Sequence, residues 1–296
     1  MTESDGGRGW FERAGSDDPA DAAETVTTGT AEEPRDWPAL AVERGDVDAE
    51  SEYYDRLREA TTAAARAAMT ERERADDRQL LHAVRAMDDA ERVANELAER
   101  VVEWAGTLFP DAGTGVEGCL DLAERDPDGP AEERVVSLAN RVADLDREAD
   151  DLRAFIESRA PVAAPNLASM AGPVLAARLI SLAGGLETLA RKPSGTLQVL
   201  GAEDALFAHL RGHGSSPKHG VIYTHEYVRG TRPEDRGSAS RALAGKLTIA
   251  ARIDHYSGDL RPELEAELDE RMRTIRARAD GDDGGDAAEA GGAADE

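Results

Sequence analysis

Apolar residues recur at Leu80, Val84, Met87, Ala94, Leu97, Val101 and Trp104, a near-regular three–four alternation with Glu91 filling one gap. From about 48 to 105 there is no proline or glycine, and the strong helix formers Ala, Arg, Glu and Leu dominate. The pattern predicts one long helix, kinked near 70. A second run, Val135, Leu138, Val142, Leu145, Ala149, Leu152 and Ile156, steps by three and four without a break. Such stepping over three heptads is a coiled-coil seam. Residues 106–130 hold Gly, Pro and Asp throughout and read as a connector, so the two helices make an antiparallel hairpin. The seam formed by Leu80, Val84, Met87, Leu97, Val101, Val135, Leu138, Val142, Leu145, Leu152 and Ile156 suits two uses. It is a coiled coil that pairs two copies of the chain, or a hairpin folded onto its own globular domain.

Ala160-Pro-Val-Ala-Ala-Pro165 closes the coil. Residues 166–256 read as short helices with stops at Gly184-Gly185, Pro193, Gly201 and Gly212–Gly214, and Gly220-Val-Ile-Tyr-Thr-His225 is the one extended run. A charged helix follows over 260–278. The first 45 residues are rich in Asp, Gly, Ala and Thr, interrupted by Trp10-Phe11 and Pro34-Arg-Asp-Trp37-Pro38. They read as a short, partly ordered module or as a disordered acidic arm. The tail from Asp280 holds seven acids and no base and reads as disordered. The expected division is 1–47, an acidic N-terminal module; 48–159, long helices and hairpin; 160–258, a compact domain; 259–279, a helix; and 280–296, a tail. The fold class is mainly α, with at most a minor extended segment.

Composition narrows the setting. The chain has 61 Asp and Glu against 35 Lys and Arg, a net charge of −26. Arg outnumbers Lys 32 to 3. An acidic, lysine-poor protein of this kind suits concentrated salt, where screening removes self-repulsion. Cys119 is alone, which excludes an intramolecular disulfide or a cysteine-based metal site. The start, MTESDGGRGW, lacks the features of a signal peptide, and no run approaches a membrane span, so a cytoplasmic protein is expected. Against this background, all three lysines and five of six histidines fall between 191 and 255, where ten Lys/Arg face six Asp/Glu. A positive island in so acidic a chain points to an anionic partner, nucleic acid first, with an ordinary ion-paired surface as the alternative.

Motifs of enzymes do not hold up. Gly113-Thr-Gly115-Val-Glu-Gly118 fits a dinucleotide pattern but follows no predicted strand and opens no predicted helix. Ser215-Ser-Pro-Lys218 fits S-x-x-K without a helix to bring Lys to Ser. His209 and His213 are spaced like zinc ligands, but glycines break the helix and no third ligand follows, so no metal is expected. No nucleophile, base and orienting acid stand together, so the chain reads as a non-enzyme. The segment Arg236–Tyr256 carries more. Placed on a helix at about 100° per residue, Arg241, Gly245, Thr248, Arg252 and His255 share a stripe of about 80°. Leu243, Leu247, Ile249, Ala250 and Ile253 lie opposite. Arg suits phosphate through its bidentate fork, and Gly245 lets a backbone approach. Lys246 projects toward the apolar side.

Residues 166–258 resemble the Nop domain, an RNA–protein binding module. The matching runs are Ala164-Pro-Asn-Leu167, Ala177–Gly184, Pro193–Phe207 (with Gly201-Ala-Glu-Asp204), Pro217-Lys-His-Gly-Val-Ile-Tyr223 and Arg236–Tyr256. Asp77–Asp89 and Trp104-Ala-Gly-Thr-Leu-Phe-Pro110 are similar to the coiled-coil region of archaeal Nop family members. The resemblance implies an all-α Nop domain and a scaffold of box C/D guide ribonucleoprotein. Its partners would be the guide RNA, a small kink-turn-binding ribosomal-type protein, a second copy through the coiled coil, and fibrillarin. Fibrillarin carries the S-adenosylmethionine-dependent ribose 2′-O-methylation of rRNA and tRNA, so no cofactor is implied for the chain itself. The resulting RNA-binding set is Lys218, His225, Arg236, Arg241, Lys246, Thr248 and Arg252, with Arg241 and Arg252 on phosphates and His225 against an exposed base. Gly201, Ala202 and Glu203 would face the kink-turn-binding protein. Trp10, Phe11 and Trp37 would be the remnant of a fibrillarin-docking surface. The chain departs from the family pattern at Asp204, Ser238 and Ala239, and before residue 75 it is shorter and more acidic. Two alternatives stand beside this reading. One is a spliceosome-type Nop relative with no methyltransferase partner, the other a coiled-coil scaffold with no RNA role.

Overall fold

The computed structural model describes residues 19–29, 33 and 35–282. Trp10, Phe11 and residues 283–296 of the expected acidic tail lie outside the described residues. The chain divides into two compact units, one up to Ala75 and one from Asp76. Among the described residues every regular element is helical.

The first unit holds α1 (Pro19–Thr28), α2 (Trp37–Arg44) and α3 (Glu50–Arg74). Asp36 caps α2 by accepting the Ala39 N–H at 3.3 Å, and Pro38 sits in the first turn, where a missing N–H costs nothing. Ala41, Val47 and Tyr53 are buried, with Trp37 and Leu57 packed against them. Trp37, expected on a docking surface, therefore spends part of its indole inside the unit. Alanines do the remaining packing, with Ala22 and Ala23 on α1 and Ala60 and Ala64 on α3. The single helix expected over 48–105 is two helices. Ala75 is extended, at φ −59° and ψ 145°, and α3 belongs with the N-terminal helices rather than with the hairpin.

In the second unit, α4 (Asp76–Ala105) and α6 (Pro130–Ala163) form the hairpin. Leu80, Val84, Met87, Val101, Val135, Val142 and Ile156 are buried, while Leu97, Leu138, Leu145 and Leu152 are partly buried against them. All eleven predicted seam residues thus meet inside one chain. A glutamate–arginine pair, Arg153 to Glu91 at 2.7 Å, and Arg159 to Asp76 tie the two helices across the seam. The connector is not structureless, because Gly115–Ala123 forms α5. The Gly113–Gly118 motif does open a helix, contrary to expectation, and the reason is steric. A Cβ on Gly118 would lie 2.4 Å from the Gly113 carbonyl carbon, so the glycines let the loop cross its own helix. Cys119 and Leu122 of α5 then close the open end of the hairpin.

The base of the hairpin runs into a bundle of α7 (Pro165–Ala171), α8 (Pro173–Ala183), α9 (Leu186–Arg191), α10 (Ser194–Gln198), α11 (Glu203–Leu210), α12 (Glu226–Arg229) and α13 (Arg236–Tyr256). Hairpin residues Leu80, Met87 and Ile156 share one core with Leu167, Leu179, Ile180, Leu197, Leu243 and Leu247. The expected extended run at 220–225 is a 3-10 turn, Val221–Thr224, with Ile222 buried. The last helix, α14 (Glu263–Asp282), seats Leu264, Leu268, Met272 and Ile275 on the same core and reaches into the predicted tail. A buried polar knot joins α7 to α13. Asp254 accepts the Asn166 and Leu167 backbone N–H groups at 2.9 and 2.8 Å and the Asn166 side-chain amide at 2.6 Å. Asn166 also donates to the Asp259 carbonyl and accepts the Arg261 N–H. No single helix among the described residues is long and apolar enough to cross a membrane.

Candidate nucleic-acid interface

Helix α13 decides which side chains reach solvent. Its buried arc comprises Ala239, Ser240, Leu243, Ala244, Leu247, Thr248, Ala250, Ala251 and Asp254. The opposite ridge exposes Ser238, Arg241, Ile249, Arg252 and Tyr256, with Gly245 half-buried among them. Arg241 has no ion pair or hydrogen bond among the described residues. Arg252 is anchored through its Nε, which donates to the Ala190 carbonyl at 3.0 Å, leaving the outer guanidinium nitrogens for a ligand. Tyr256 is 70% exposed and meets His255 edge-on at 4.6 Å.

The structure corrects one predicted contact and constrains two others. Thr248 is 3% exposed and spends its hydroxyl on the Ala244 carbonyl, so it lines the core and not the ridge. Lys246 is half-buried and ion-paired with Glu267 of α14, so part of its charge is already offset within the chain. His225 is half-buried. Its Nδ1 accepts the Tyr227 N–H at 3.1 Å and caps α12, and its Nε2 lies 3.0 Å from the Met170 carbonyl. The ring therefore carries its proton on Nε2, and both nitrogens are spent on the chain's own backbone.

A second group lies by the start of α13; its Lys218 and Arg236 were expected from the sequence, while His219 and Tyr223 were not. His219 stacks on Tyr223 with ring centroids 4.6 Å apart and planes 23° apart. The Arg236 guanidinium lies 5.4 Å from the centre of the Tyr223 ring, and its Nε donates to the Thr231 carbonyl at 3.0 Å. Lys218 is exposed, and its side chain passes beside Gly237 in the first turn of α13. Cation and ring stacked in this way form a surface on which a base can stack. The available signal was the i,i+4 spacing of His219 and Tyr223 around Gly220. That glycine is obligatory, because a Cβ there would lie 2.0 Å from the Leu200 carbonyl oxygen. The close approach lets Gly220 and Val221 donate to the Gln198 and Leu200 carbonyls at 2.9 and 2.7 Å. Arg236 and Arg252 are sixteen residues apart on α13, so the two groups are separated by roughly 24 Å.

Gly201, Ala202 and Glu203 form a turn at the start of α11, where Gly201 has φ 81° and donates its N–H to Glu203 Oε1 at 2.9 Å. Gly201 also sits against Leu182 and Val221, with a Cβ position 3.3 Å from both. His209 Nδ1 contacts the Gly214 carbonyl, and His213 is exposed. Among the described residues no three His, Cys, Asp or Glu side chains converge as metal ligands would.

Two histidines of the region have pKa values below the ordinary imidazole range. Burial is the main cause for both, joined at His219 by the charges of Arg236 and Lys218. A depressed imidazole pKa stabilises the fold above the unfolded-state value of about 6.5, and that contribution is lost as pH falls below it. Protonated His225 would also lose the acceptor that caps α12. Thermal unfolding at fixed salt should therefore show a midpoint that drops as pH falls below about 6.5, and His225→Ala should flatten that dependence. An equally steep dependence in the variant would refute the assignment.

The chain matches the model of a protein family described as "Nop: snoRNA binding domain, fibrillarin" over residues 124–274. It is 34% identical over 239 residues to an uncharacterized NOP5 family protein of Methanocaldococcus jannaschii, covering 68% of this chain and 58% of that protein. It is 42% identical over 125 residues to nucleolar protein 56 of Schizosaccharomyces pombe, covering 42% of this chain and 25% of that protein. It is 29% identical over 243 residues to human nucleolar protein 58, covering 68% and 46%. The chain thus spans a quarter to just over half the length of these relatives. A solved structure of a fibrillarin/Nop5p complex shares its fold, with a TM-score of 0.53 and 23% identity over 86% of this chain and 92% of that one.

Proposed function

Since the chain belongs to the Nop family, we propose that it is the scaffold of a box C/D guide ribonucleoprotein. It binds the composite of kink-turn RNA and its small protein and recruits a fibrillarin-type methyltransferase for ribose 2′-O-methylation. The observation that carries this reading is the exposed α13 ridge. Arg241 is unpartnered and Arg252 is anchored by its inner nitrogen, while the cation–aromatic stack of Arg236, Tyr223 and His219 stands at the other end of the helix. Guanidinium groups suit phosphates, and stacked rings suit splayed bases. The net charge of −26 supports function in concentrated salt, where short-range contacts must carry affinity because counterion release contributes less. The chain supplies no catalyst in this reading. Self-association belongs to it too. The predicted seam, Leu80 to Ile156, is buried in the chain's own hairpin, so a second copy would meet the outward face, where Phe155 and Val162 are exposed.

Reconstitution from guide RNA, kink-turn-binding protein, methyltransferase and this chain tests the proposal. Methyl transfer to the target ribose should require the chain. Arg241→Ala and Arg252→Ala should each weaken assembly about tenfold, near 1.4 kcal/mol, as loss of a charge-assisted hydrogen bond does. Lys246→Ala should change it less than about twofold, because its charge is already spent on Glu267. Methylation without the chain, or three variants of equal affinity, would sink the reading.

A further inference from the structure

The turn between α12 and α13 gathers cations. Arg236 Nε donates to the Thr231 carbonyl at 3.0 Å, and its Nη2 donates to the Arg229 carbonyl at 3.4 Å. Arg276 of α14 comes to the same turn from the other side. Its guanidinium lies 5.7 Å from the centre of the Tyr227 ring, and its Nη2 is 3.7 Å from where a Cβ on Gly230 would stand. The Lys218 side chain passes beside Gly237, at the head of α13. Lys218, Arg229 and Arg276 are exposed, and Arg236 is half-buried. None of these four cations has a carboxylate partner among the described residues, and Glu234 and Asp235 of the same turn pair with none of them. Single unpaired arginines stand elsewhere, but here four cations surround one turn. His219 senses the excess, since the charges of Arg236 and Lys218 add to burial in lowering its pKa and no carboxylate acts in the opposite sense.

Helix α14 carries the chain to this place. Its last residue, Asp282, is six residues beyond Arg276, or about 9 Å along the helix. The segment that follows, 283–296, holds five Asp or Glu, no Lys or Arg, and otherwise only Gly and Ala. It brings charge and no apolar side chain larger than a methyl group. At full extension it reaches about 48 Å, well beyond the roughly 24 Å that separates Arg236 from Arg252. We propose that segment 283–296 docks on this turn through its carboxylates and competes there with RNA phosphate. It acts as a tethered competitor, displaced by an RNA that makes the full set of contacts. The proposal rests on the α13 reading for what is excluded, and on the turn and the segment alone for the contact. Tethering offsets screening. Concentrated salt removes long-range attraction, but a tethered segment keeps an effective concentration of a few millimolar, on the order set by a short linker. Against a contact with a Kd of about 1 mM, that weakens a simple RNA ligand roughly 3–10-fold.

Two full-length variants of equal net charge test it. One neutralises the segment, with Asp283→Asn, Asp286→Asn, Glu289→Gln, Asp295→Asn and Glu296→Gln. The other neutralises five exposed acids toward the far end of the hairpin, with Glu99→Gln, Glu117→Gln, Glu124→Gln, Asp126→Asn and Asp128→Asn. Without RNA, the amide NMR signals of Gly230, Thr231 and Gly237 should move in the first variant and stay in place in the second. In about 0.5 M potassium chloride, fluorescence anisotropy should show the first variant binding an oligouridylate roughly 3–10-fold more tightly than the wild type, and the second within about twofold of it. With Arg229→Gln and Arg276→Gln also present, neutralising the segment should bring no gain. Unmoved amides overturn the contact. Equal affinity of the first variant and the wild type, or an equal gain in both variants, overturns the competition. If the amides move but no chain binds oligouridylate, the RNA reading of α13 fails and the segment contact stands.

Discussion

Asp254→Ala should lower the stability of the second unit by about 3–5 kcal/mol, since three buried donors would lose their acceptor at once. The carboxylate is 8% exposed and serves as the N-terminal acceptor of α7 from the last turn of α13. Its loss leaves the Asn166 and Leu167 backbone N–H groups buried beside a void. Asp254→Asn is the informative control. It keeps the volume and one acceptor oxygen, but it points an NH2 group at donors, so it should recover less than half of the loss. Chemical denaturation followed by circular dichroism reads both effects. A loss below about 1 kcal/mol for the alanine variant would show that water replaces the carboxylate and that the knot is not structural.

Gly220→Ala is the second large effect, and it should separate folding from binding. The added Cβ would fall 2.0 Å from the Leu200 oxygen and 2.7 Å from the Val199 carbonyl carbon, both backbone atoms that cannot rotate away. The strand of chain from Pro217 to Tyr223 must then lift off α10, breaking the hydrogen bonds to the Gln198 and Leu200 carbonyls. Lys218, His219 and Tyr223 move with it, and the stack beneath Arg236 comes apart. Affinity for the RNA–protein composite should fall about 100-fold or more, while helical content stays within a few per cent of the wild type because the 217–223 segment contributes only one short 3-10 turn to it. A variant that binds normally would remove the His219–Tyr223–Arg236 group from the interface.

The hairpin was legible because its signal is periodic and long. Val135, Val142, Ala149 and Ile156 fall one heptad apart, and all four are buried. The placement of individual polar residues on α13 was less legible. By helical projection Thr248 lies only about 20° from Arg241, at the edge of the buried arc. A threonine can satisfy its hydroxyl on its own helix and so cross that edge, whereas an arginine cannot. Asp254 carried the reverse signal, a charge in the middle of the apolar arc, which marks a buried partner. His225 and the Gly220–His225 run were misread for a shared reason. A β-branched run looks extended, but here a single glycine contact folds it into a 3-10 turn and points His225 inward. The helix Gly115–Ala123 was hidden by three glycines whose role is close packing rather than flexibility. Nothing in the pattern of one chain distinguishes a seam used internally from one shared between copies.

The hairpin has one further consequence. Its helices are rooted in the same core as the interface-bearing bundle, without a linker between them. A helix of 34 residues is about 51 Å long, so a tilt of roughly 5° at the root carries the far end through about 4 Å. The hairpin therefore works as a ruler. Whatever meets its tip is held at a set distance and bearing from whatever lies on α13, and small repacking at the root around Met87, Ile156 and Leu179 would be read out as a large displacement at the other end.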